Sequence, residues 1–475
     1  MSALEYDVII VGAGPAGIFA ALELTRSPEL RVLLLEKGCD IRDRSCPARR
    51  TGRCAHCDPC DITCGWGGAG AFSDGKLTLS PEVGGWLGEY VTPEDLGRLI
   101  ADVDAVYRRF GAPDEVYGGE SEEFAAWRLR ALKEGLRLVQ SPIRHIGTER
   151  CAELMARLRD ELGGRADVRT DSMVSQLLVE KDGGALTGLR TTGVATTSGE
   201  EFRAPHVVVA PGREGSSWFL GELRRLGVPV TNNAVDIGVR VEVPSVVTDP
   251  ITDSLYEPKL LYTSRHFEDP VRTFCMNPHG EVSKENYGDV VTVNGHSYAD
   301  RARQTLCTNF ALLVSTRFTE PFDEPIVYGK SIARLANVLG EDIIVQRLGD
   351  LKSGRRSTPE RIGRSAVEPT LKDATPGDLS FVMPYRHLRD ITDMLAAMDR
   401  LLPGVGGRDT LLYGTEVKFY SARPGLNREL ETGVEGLYAI GDGAGITRGL
   451  VQASASGLVA GRSVRRRLSG PADPD

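Results

Sequence analysis

Closely spaced cysteines form the most distinctive chemical pattern in this sequence. Cys54, Cys57, Cys60 and Cys64 follow the spacing C-x2-C-x2-C-x3-C, and Cys46 lies a short distance before them. A two-residue gap lets neighbouring thiolates converge on one metal ion or cluster. These five cysteines are therefore candidate metal ligands.

Three interpretations of this cysteine cluster stay open. The spacing occurs in bacterial ferredoxins, where it binds an iron–sulfur cluster that carries single electrons. Here Gly65, not proline, follows the last cysteine, and the sequence has no second run that the fourth ligand would serve. A zinc ion bound by four thiolates, with His56 as a further candidate ligand, is the second interpretation. The third is a set of free, redox-active or structural thiols.

A glycine fingerprint near the start of the chain predicts a dinucleotide site. The apolar run Val8–Val11 leads into Gly12, Gly14 and Gly17, which are spaced G-x-G-x-x-G and precede a helical pattern. In such a motif the first glycine makes the tight turn, the second lets the backbone approach a pyrophosphate, and the third allows close packing of helix on strand. We therefore expect Pro15 and Ala16, within the motif, to contact the ligand as well.

An acidic residue completes this fingerprint. A second apolar run, from 31 to 35, ends at Glu36, nineteen residues after Gly17. This is where the carboxylate that binds a ribose hydroxyl is expected, and Lys37 is the adjacent candidate. Strand, glycine turn, helix, strand and acid occur in the order that the motif requires.

A second glycine-rich stretch, from 65 to 75, directly follows the cysteines. Its glycines predict a backbone that lies against a cofactor and offers N–H groups to flavin or phosphate oxygens. Trp66 and Phe72 provide apolar anchors, which favours an ordered loop. The candidate contacts are Gly67, Gly68, Gly70 and Ser73.

Two later segments favour FAD over NAD as the ligand. Residues 436–445, ending in a Gly441-Asp442 pair and followed by a predicted helix from about 449 to 467, resemble the second flavin-binding motif of two-dinucleotide-fold flavoproteins. Residues 207–212 resemble the strand that returns to the nucleotide-binding sheet in those proteins. The resemblance implies that Asp442 binds the ribityl chain and that Val174 lies near the adenine. The remaining implied contacts are Ala210, Gly212, Gly441, Gly449, Leu450 and Val451.

Most of the chain resembles a family described as uncharacterised FAD-dependent dehydrogenases, or NAD(P)/FAD-dependent oxidoreductases. The segments that carry this resemblance are 65–77, 210–213 and 443–452. The broader plan resembles the group that contains hydroxybenzoate hydroxylases and geranylgeranyl reductases. The resemblance implies a cofactor and names no substrate.

These segments predict an α/β fold with two kinds of domain. We expect a Rossmann-type FAD-binding domain with a parallel sheet, discontinuous in sequence at 1–214 and 411–475, and carrying the cysteine loop 46–64. An inserted α+β substrate domain is expected at 215–410. Within the first domain, helical spacing is predicted from 92 to 110 and from 122 to 138.

Composition limits the classes of partner. Lys and Arg total 57 against 66 Asp and Glu, a formal charge of −9, which argues against a broad nucleic-acid surface. No apolar stretch has the length of a membrane span, and acidic Glu5 and Asp7 precede the first apolar run, unlike a signal peptide. We therefore expect a cytoplasmic protein with a small-molecule substrate and, if the cysteines bind a cluster, a ferredoxin-like electron partner.

Candidate catalytic groups are His296, in a turn-like position where it would move protons, and Lys418, whose cation would stabilise reduced flavin. The leading interpretation is a dehydrogenase or reductase that transfers a hydride or electrons between a substrate and FAD. The alternatives are a flavin monooxygenase that uses NAD(P)H and oxygen, and, from another class, a flavin-bearing RNA-modification factor or an electron carrier.

Overall fold

The computed structural model describes residues 4–47, 55, 57–287, 289–298, 300–317 and 324–469, which form two compact units. Unit 1 contains the chain up to Glu115, Arg144–Asn233 and the chain from Tyr420 onward. Unit 2 contains Val116–Ile143 and Ala234–Phe419. The chain therefore leaves unit 1 twice and returns to it twice.

Unit 1 is built on a five-stranded parallel sheet. Its strands, in spatial order, are Leu437–Ala439, His206–Val209, Val8–Val11, Val32–Leu35 and Asp167–Arg169. Val8–Val11 is buried along its whole length, as expected for a central parallel strand covered on both faces. One neighbour, Val32–Leu35, follows it closely in sequence, whereas the other, His206–Val209, is reached only after the chain has left unit 1 and returned. The Rossmann-type fold class is confirmed.

Among its described residues, unit 1 also contains a smaller sheet and five longer helices. The sheet contains Leu4–Glu5, Glu201–Arg203, Leu189–Thr196 and Val174–Lys181 in spatial order, and a short pair joins Val230–Thr231 to Arg423–Pro424. The helices are Pro15–Leu24, Pro93–Arg109, Thr148–Leu162, Ser216–Arg225 and Leu450–Ser469. Within the described ranges, no helix is both long enough and apolar enough to cross a membrane.

Close packing of the first and last helices depends on two glycines. A Cβ on Gly457 would lie 2.2 Å from the Ala16 carbonyl oxygen, and a Cβ on Gly461 would lie 3.0 Å from the Glu23 Cβ. The one-turn spacing of these glycines lets the last helix, Leu450–Ser469, pack directly on the backbone of the first, Pro15–Leu24. This contact brings together two helices that lie far apart in the sequence.

Unit 2 is built on an eight-stranded mixed sheet. In spatial order its strands are Thr375–Pro376, Ile344–Arg347, Leu411–Lys418, Val235–Pro244, Cys307–Thr316, Pro270–Asn277, Lys259–Thr263 and Leu136–Val139. A hairpin of Glu281–Asn286 and Val291–His296 accompanies it. The helices of this unit are Glu122–Lys133, Ser245–Leu255, Pro325–Gly340, Leu348–Lys352, Pro359–Ile362 and Tyr385–Leu401.

The centre of the unit 2 sheet contains a buried ion pair. The Arg240 guanidinium donates two hydrogen bonds of 2.8 Å to the Glu416 carboxylate, and both side chains are fully buried. Arg240 also donates to the side-chain oxygens of Asn294 and Asn309 and to the Cys275 carbonyl. The remaining hydrogen-bonding capacity of the guanidinium is thereby satisfied, which a buried charge requires.

The domain boundaries differ from those expected from the sequence. Unit 1 continues to Asn233 rather than to 214 and resumes at Tyr420 rather than at 411. Residues 116–143 belong to unit 2, because the expected helix 122–138 stops at Lys133 and the chain turns through Gly135 at a positive φ of 77°. The strand Leu136–Val139 then pairs with Lys259–Thr263 at the edge of the unit 2 sheet.

The glycine contact between helices gives a test of this packing. We expect Gly457→Ala to lower the free energy of unfolding by about 1–3 kcal/mol, because its methyl group would overpack the helix interface. Gly97→Ala is the matched control, since Gly97 is also helical but a Cβ there meets nothing within 4 Å. Helix propensity predicts that this control gains up to about 1 kcal/mol. Denaturant unfolding measures both values, and equal effects of the two substitutions would contradict the packing.

Candidate functional site

Three chain segments meet at one edge of the parallel sheet in unit 1. The strands Val8–Val11, His206–Val209 and Leu437–Ala439 run side by side, so their carboxyl ends lie together. Hydrogen bonds continue past the strand ends, from the Ala210 N–H to the Val11 carbonyl at 2.7 Å and from the Ile440 N–H to the Val209 carbonyl at 3.0 Å. In open α/β sheets, ligands bind outside this edge.

The three fingerprint glycines have two kinds of environment. A Cβ on Gly12 would lie 2.2 Å from the Ala210 carbonyl oxygen, and a Cβ on Gly17 would lie 1.9 Å from the Gly12 carbonyl oxygen. These two positions admit only glycine because backbone occupies the space. A Cβ on Gly14 would meet nothing within 4 Å. The space beside Gly14 is open, at the point where a pyrophosphate approaches the backbone in this motif.

The Glu36 carboxylate accepts hydrogen bonds from three separate turns. Its donors are the backbone N–H groups of Ala13 at 2.8 Å, Gly38 at 3.0 Å and Gly65 at 2.9 Å. Glu36 is buried, so these hydrogen bonds fix the position of its carboxylate. A carboxylate has about four acceptor positions, which leaves capacity for a ribose hydroxyl.

The glycine loop at 65–75 packs against the first turn of the fingerprint. Gly67, at a φ of 85°, donates its N–H to the Ala13 carbonyl at 2.8 Å. A Cβ on Gly68 would lie 3.1 Å from the Gly14 Cα, so the two backbones approach closely. Ser73 donates to the Gly70 carbonyl at 2.9 Å and closes the end of the loop. The loop is ordered and lies at the site.

The segment before the last helix forms a second polar turn. Asp442 accepts hydrogen bonds from the Thr447 hydroxyl at 2.8 Å and from the Gly449 N–H at 3.3 Å. Burial raises the pKa of the Asp442 carboxyl, while the nearby Arg213 cation opposes this shift. Gly441, at a φ of 75°, makes the turn that presents Asp442, and its N–H donates to the Ser456 hydroxyl at 3.0 Å.

All nineteen residues expected from the sequence to bind the cofactor lie in unit 1. Pro15 and Ala16 begin the first helix, and Leu450 and Val451 begin the last one. Lys37 forms an ion pair of 3.8 Å with Glu214. Val174 is the buried first residue of a strand in the smaller sheet, and its expected place near the adenine stays a prediction.

The geometry of this edge fits FAD. Gly14, Gly212 and Gly449 all have open space where a side chain would stand, and each follows a strand end or precedes a helix. Glu36 and Asp442 each place a carboxylate at this edge, and their expected binding of a ribose and of further hydroxyl groups stays a prediction. The positive ends of the first and last helices favour the charge of a pyrophosphate.

The cysteine cluster is described only in part. Cys54 and His56 lie outside the described residues. Cys64 is buried and burial raises the pKa of its thiol, whereas Cys57 is exposed and Cys46 and Cys60 are partly buried. Among the described side chains, no group of three cysteine, histidine or acidic residues is arranged to bind a metal ion. Metal binding by these cysteines stays a prediction.

The two candidate catalytic residues lie in unit 2. Lys418 is buried and forms ion pairs of 3.0 Å with Glu285 and 3.3 Å with Glu416. Burial alone lowers the pKa of its ammonium, but these carboxylates outweigh burial and raise the pKa overall. These carboxylates neutralise the cation locally, and the expected role of Lys418 towards a flavin stays a prediction. His296 ends a hairpin strand opposite Glu281, and its catalytic role stays a prediction.

Sequence reasoning missed Gly38 and Arg44, and it did not predict that Gly65, within the expected glycine loop, donates to Glu36. Gly38 also donates to Glu36, and Arg44 holds the loop that contains Gly65. Gly38 could have been predicted, because it lies two residues after Glu36. Arg44 could not, because contacts between loops follow no periodic spacing in the sequence.

Gly12 and Gly14 offer a matched test of the site. We expect Gly14→Ala to keep the stability of the cofactor-free protein, because the new methyl group enters open space, but to weaken FAD binding about 10-fold or more. Gly12→Ala should lower the melting temperature of the cofactor-free protein, because its methyl group overlaps the Ala210 carbonyl. Calorimetry and FAD titration measure the two effects. Unchanged FAD affinity in Gly14→Ala would contradict the assignment.

Two family models match parts of the chain. Residues 234–419 match the model described as FAD-dependent protein, C-terminal domain-like, which coincides with the longer segment of unit 2. Residues 1–41, which contain the glycine fingerprint and Glu36, match the model of the Thi4 family.

Among curated proteins, the chain is 27% identical over 479 residues to one from Clostridium beijerinckii that is described only as an uncharacterised protein. The match covers 95% of this chain and 79% of that one. The relative extends the similarity to nearly the whole chain and adds no activity.

Solved structures with similar chain traces include two flavoenzymes. Quinol fumarate reductase from E. coli is 13% identical, with a TM-score of 0.43, and the match covers 100% of this chain and 72% of that one. Glycine oxidase from Geobacillus kaustophilus is 14% identical, with a TM-score of 0.35, and the match covers 98% of this chain and 94% of that one. The family models confirm FAD as the cofactor and support an FAD-dependent oxidoreductase activity. They leave the relation to hydroxybenzoate hydroxylases unconfirmed.

Proposed function

We propose that this protein is a dehydrogenase or reductase that exchanges a hydride, or two electrons, between a small-molecule substrate and FAD. One observation supports the proposal most strongly. Strands from 8–11, 206–209 and 437–439 lie adjacent in a single parallel sheet, and the candidate ligand contacts follow their carboxyl ends. That arrangement provides one extended site for a dinucleotide.

Each contact in unit 1 has a specific role in this proposal. Glu36 binds and orients a ribose through its carboxylate, and the open backbone at Gly14 admits the pyrophosphate. Asp442 holds hydroxyl groups at the start of the last helix, where the Gly449 N–H fixes its orientation. Bound FAD supplies the two-electron chemistry, which side chains alone do not provide.

The second unit is the proposed place of substrate recognition. It contains a mixed sheet with its own buried core, so it is a separate folded body and larger than an electron carrier needs. The match of residues 234–419 to an FAD-dependent C-terminal domain supports a role in the same reaction. His296 is the proposed proton-transfer group of this unit, because neutral and charged forms of histidine interconvert near neutral pH.

Anaerobic reduction tests the proposed reaction. We expect the purified protein to carry FAD and its visible absorption band to bleach without oxygen when the correct two-electron donor is added. The panel would contain 2-hydroxy acids, amino acids, NADH and NADPH, and dithionite would give the full bleaching amplitude. The same protein after removal of its FAD provides the background.

The alternatives make different predictions in the same assay. Turnover that requires both NAD(P)H and oxygen, with oxygen incorporated into the product, would indicate a monooxygenase. Bleaching by dithionite and by reduced ferredoxin, but by no small-molecule donor, would indicate an electron carrier. Either result would contradict the proposed dehydrogenase or reductase.

A further inference from the structure

The glycine loop follows the candidate ligand contacts in a fixed order. The Gly65 N–H donates to Glu36, and a Cβ on Gly68 would lie 3.1 Å from the Gly14 Cα. A Cβ on Gly70 would lie 2.6 Å from a methyl carbon of Leu450, at the start of the last helix. Successive loop residues therefore pass the acid, the fingerprint turn and the last helix.

This order gives the loop a direction along the ligand. In glycine-fingerprint folds the acid binds the adenosine ribose and the second glycine faces the pyrophosphate. Gly65 is therefore at the adenosine end and Gly68 at the pyrophosphate. Cys60 and Cys64 precede Gly65 in the chain, and the Cys64 N–H donates to the Cys60 carbonyl at 2.8 Å. The cysteines thus approach the site from its adenosine end.

One buried arginine holds this segment in place. The Arg44 guanidinium donates to the carbonyl oxygens of Asp61 at 2.8 Å, Ile62 at 3.0 Å, Trp66 at 2.6 Å and Gly68 at 2.8 Å. These carbonyls lie on both sides of Gly65. Arg44 is only 6% exposed, and its carbon Cζ lies 4.6 Å from the centroid of the Phe72 ring. The five N–H donors of a guanidinium suit such a multiple contact, which lysine cannot reproduce.

We propose that Arg44 is a positioning residue for FAD, and that the segment it holds, from Asp61 to Gly68, covers the adenosine and pyrophosphate part of the cofactor. Cys60 and Cys64 then lie at the adenosine end of the cofactor and do not exchange electrons with the flavin ring. The inference rests on FAD as the ligand of unit 1 and is independent of which substrate is used.

Binding of FAD and of ADP to the cofactor-free protein tests the position of the segment. ADP carries the adenosine and pyrophosphate of FAD and lacks the flavin. We expect Arg44→Met to weaken both ligands by a similar factor, about 10-fold or more, and Arg44→Lys to weaken both less. Flavin fluorescence measures the FAD affinity, and competition against FAD measures that of ADP.

Arg144 provides a matched control. It is also a buried arginine of unit 1, bound to Asp104 and to the Pro113 carbonyl. Arg144→Met should lower the melting temperature. Its affinities for FAD and for ADP should both stay close to the wild-type values. The proposal is overturned if Arg44→Met weakens FAD and spares ADP, if the control weakens both ligands equally, or if wild-type protein binds FAD but no ADP.

A second measurement keeps the proposal testable if Arg44→Met does not fold. In FAD-loaded protein, Cys60→Ala and Cys64→Ala should leave the visible spectrum and the midpoint potential of the flavin unchanged from wild type. A thiol that contacts the flavin ring would instead give long-wavelength charge-transfer absorption that disappears in the variant. Loss of such a band, or a shifted midpoint potential, would overturn the adenosine-end placement. These readouts do not depend on catalytic turnover, so a failure of the proposed reaction would be seen separately.

Discussion

The charge of one buried carboxylate organises the ligand edge of unit 1. Glu36 accepts hydrogen bonds from Ala13, Gly38 and Gly65, which belong to the fingerprint turn, the turn after the second strand and the glycine loop. A buried carboxylate without partners is strongly unfavourable, so these donors and the acid stabilise one another. Because the donors come from three segments, the position of the glycine loop depends on the same group that is expected to bind the ribose.

The parallel sheet imposes the second constraint. Its five strands come from residues 8 to 439, so the site exists only when the chain has left unit 1 and returned. The last helix, Leu450–Ser469, fixes this return by packing glycines on the backbone of the first. Glu36, the glycine fingerprint and the polar turn at Asp442 therefore lie at one edge of the same sheet, although more than 400 residues separate Glu36 from Asp442.

Motifs with a fixed local geometry could be predicted from the sequence, and tertiary pairings could not. The strand, glycine turn and helix from Val8 to Leu24 follow from residue types alone, because each glycine meets a local steric requirement. Residues 136–138 were expected to end a helix, and they instead belong to the strand Leu136–Val139, which pairs with Lys259–Thr263. Likewise, the neutralisation of Lys418 by Glu285 required a partner 133 residues away.

Hydrogen–deuterium exchange of the cofactor-free protein, with and without FAD, shows whether three distant segments form one FAD site. If they do, FAD slows exchange together in peptides covering 10–17, 65–72 and 441–452. Protection confined to the first 41 residues, or no protection at 65–72, would contradict a single site.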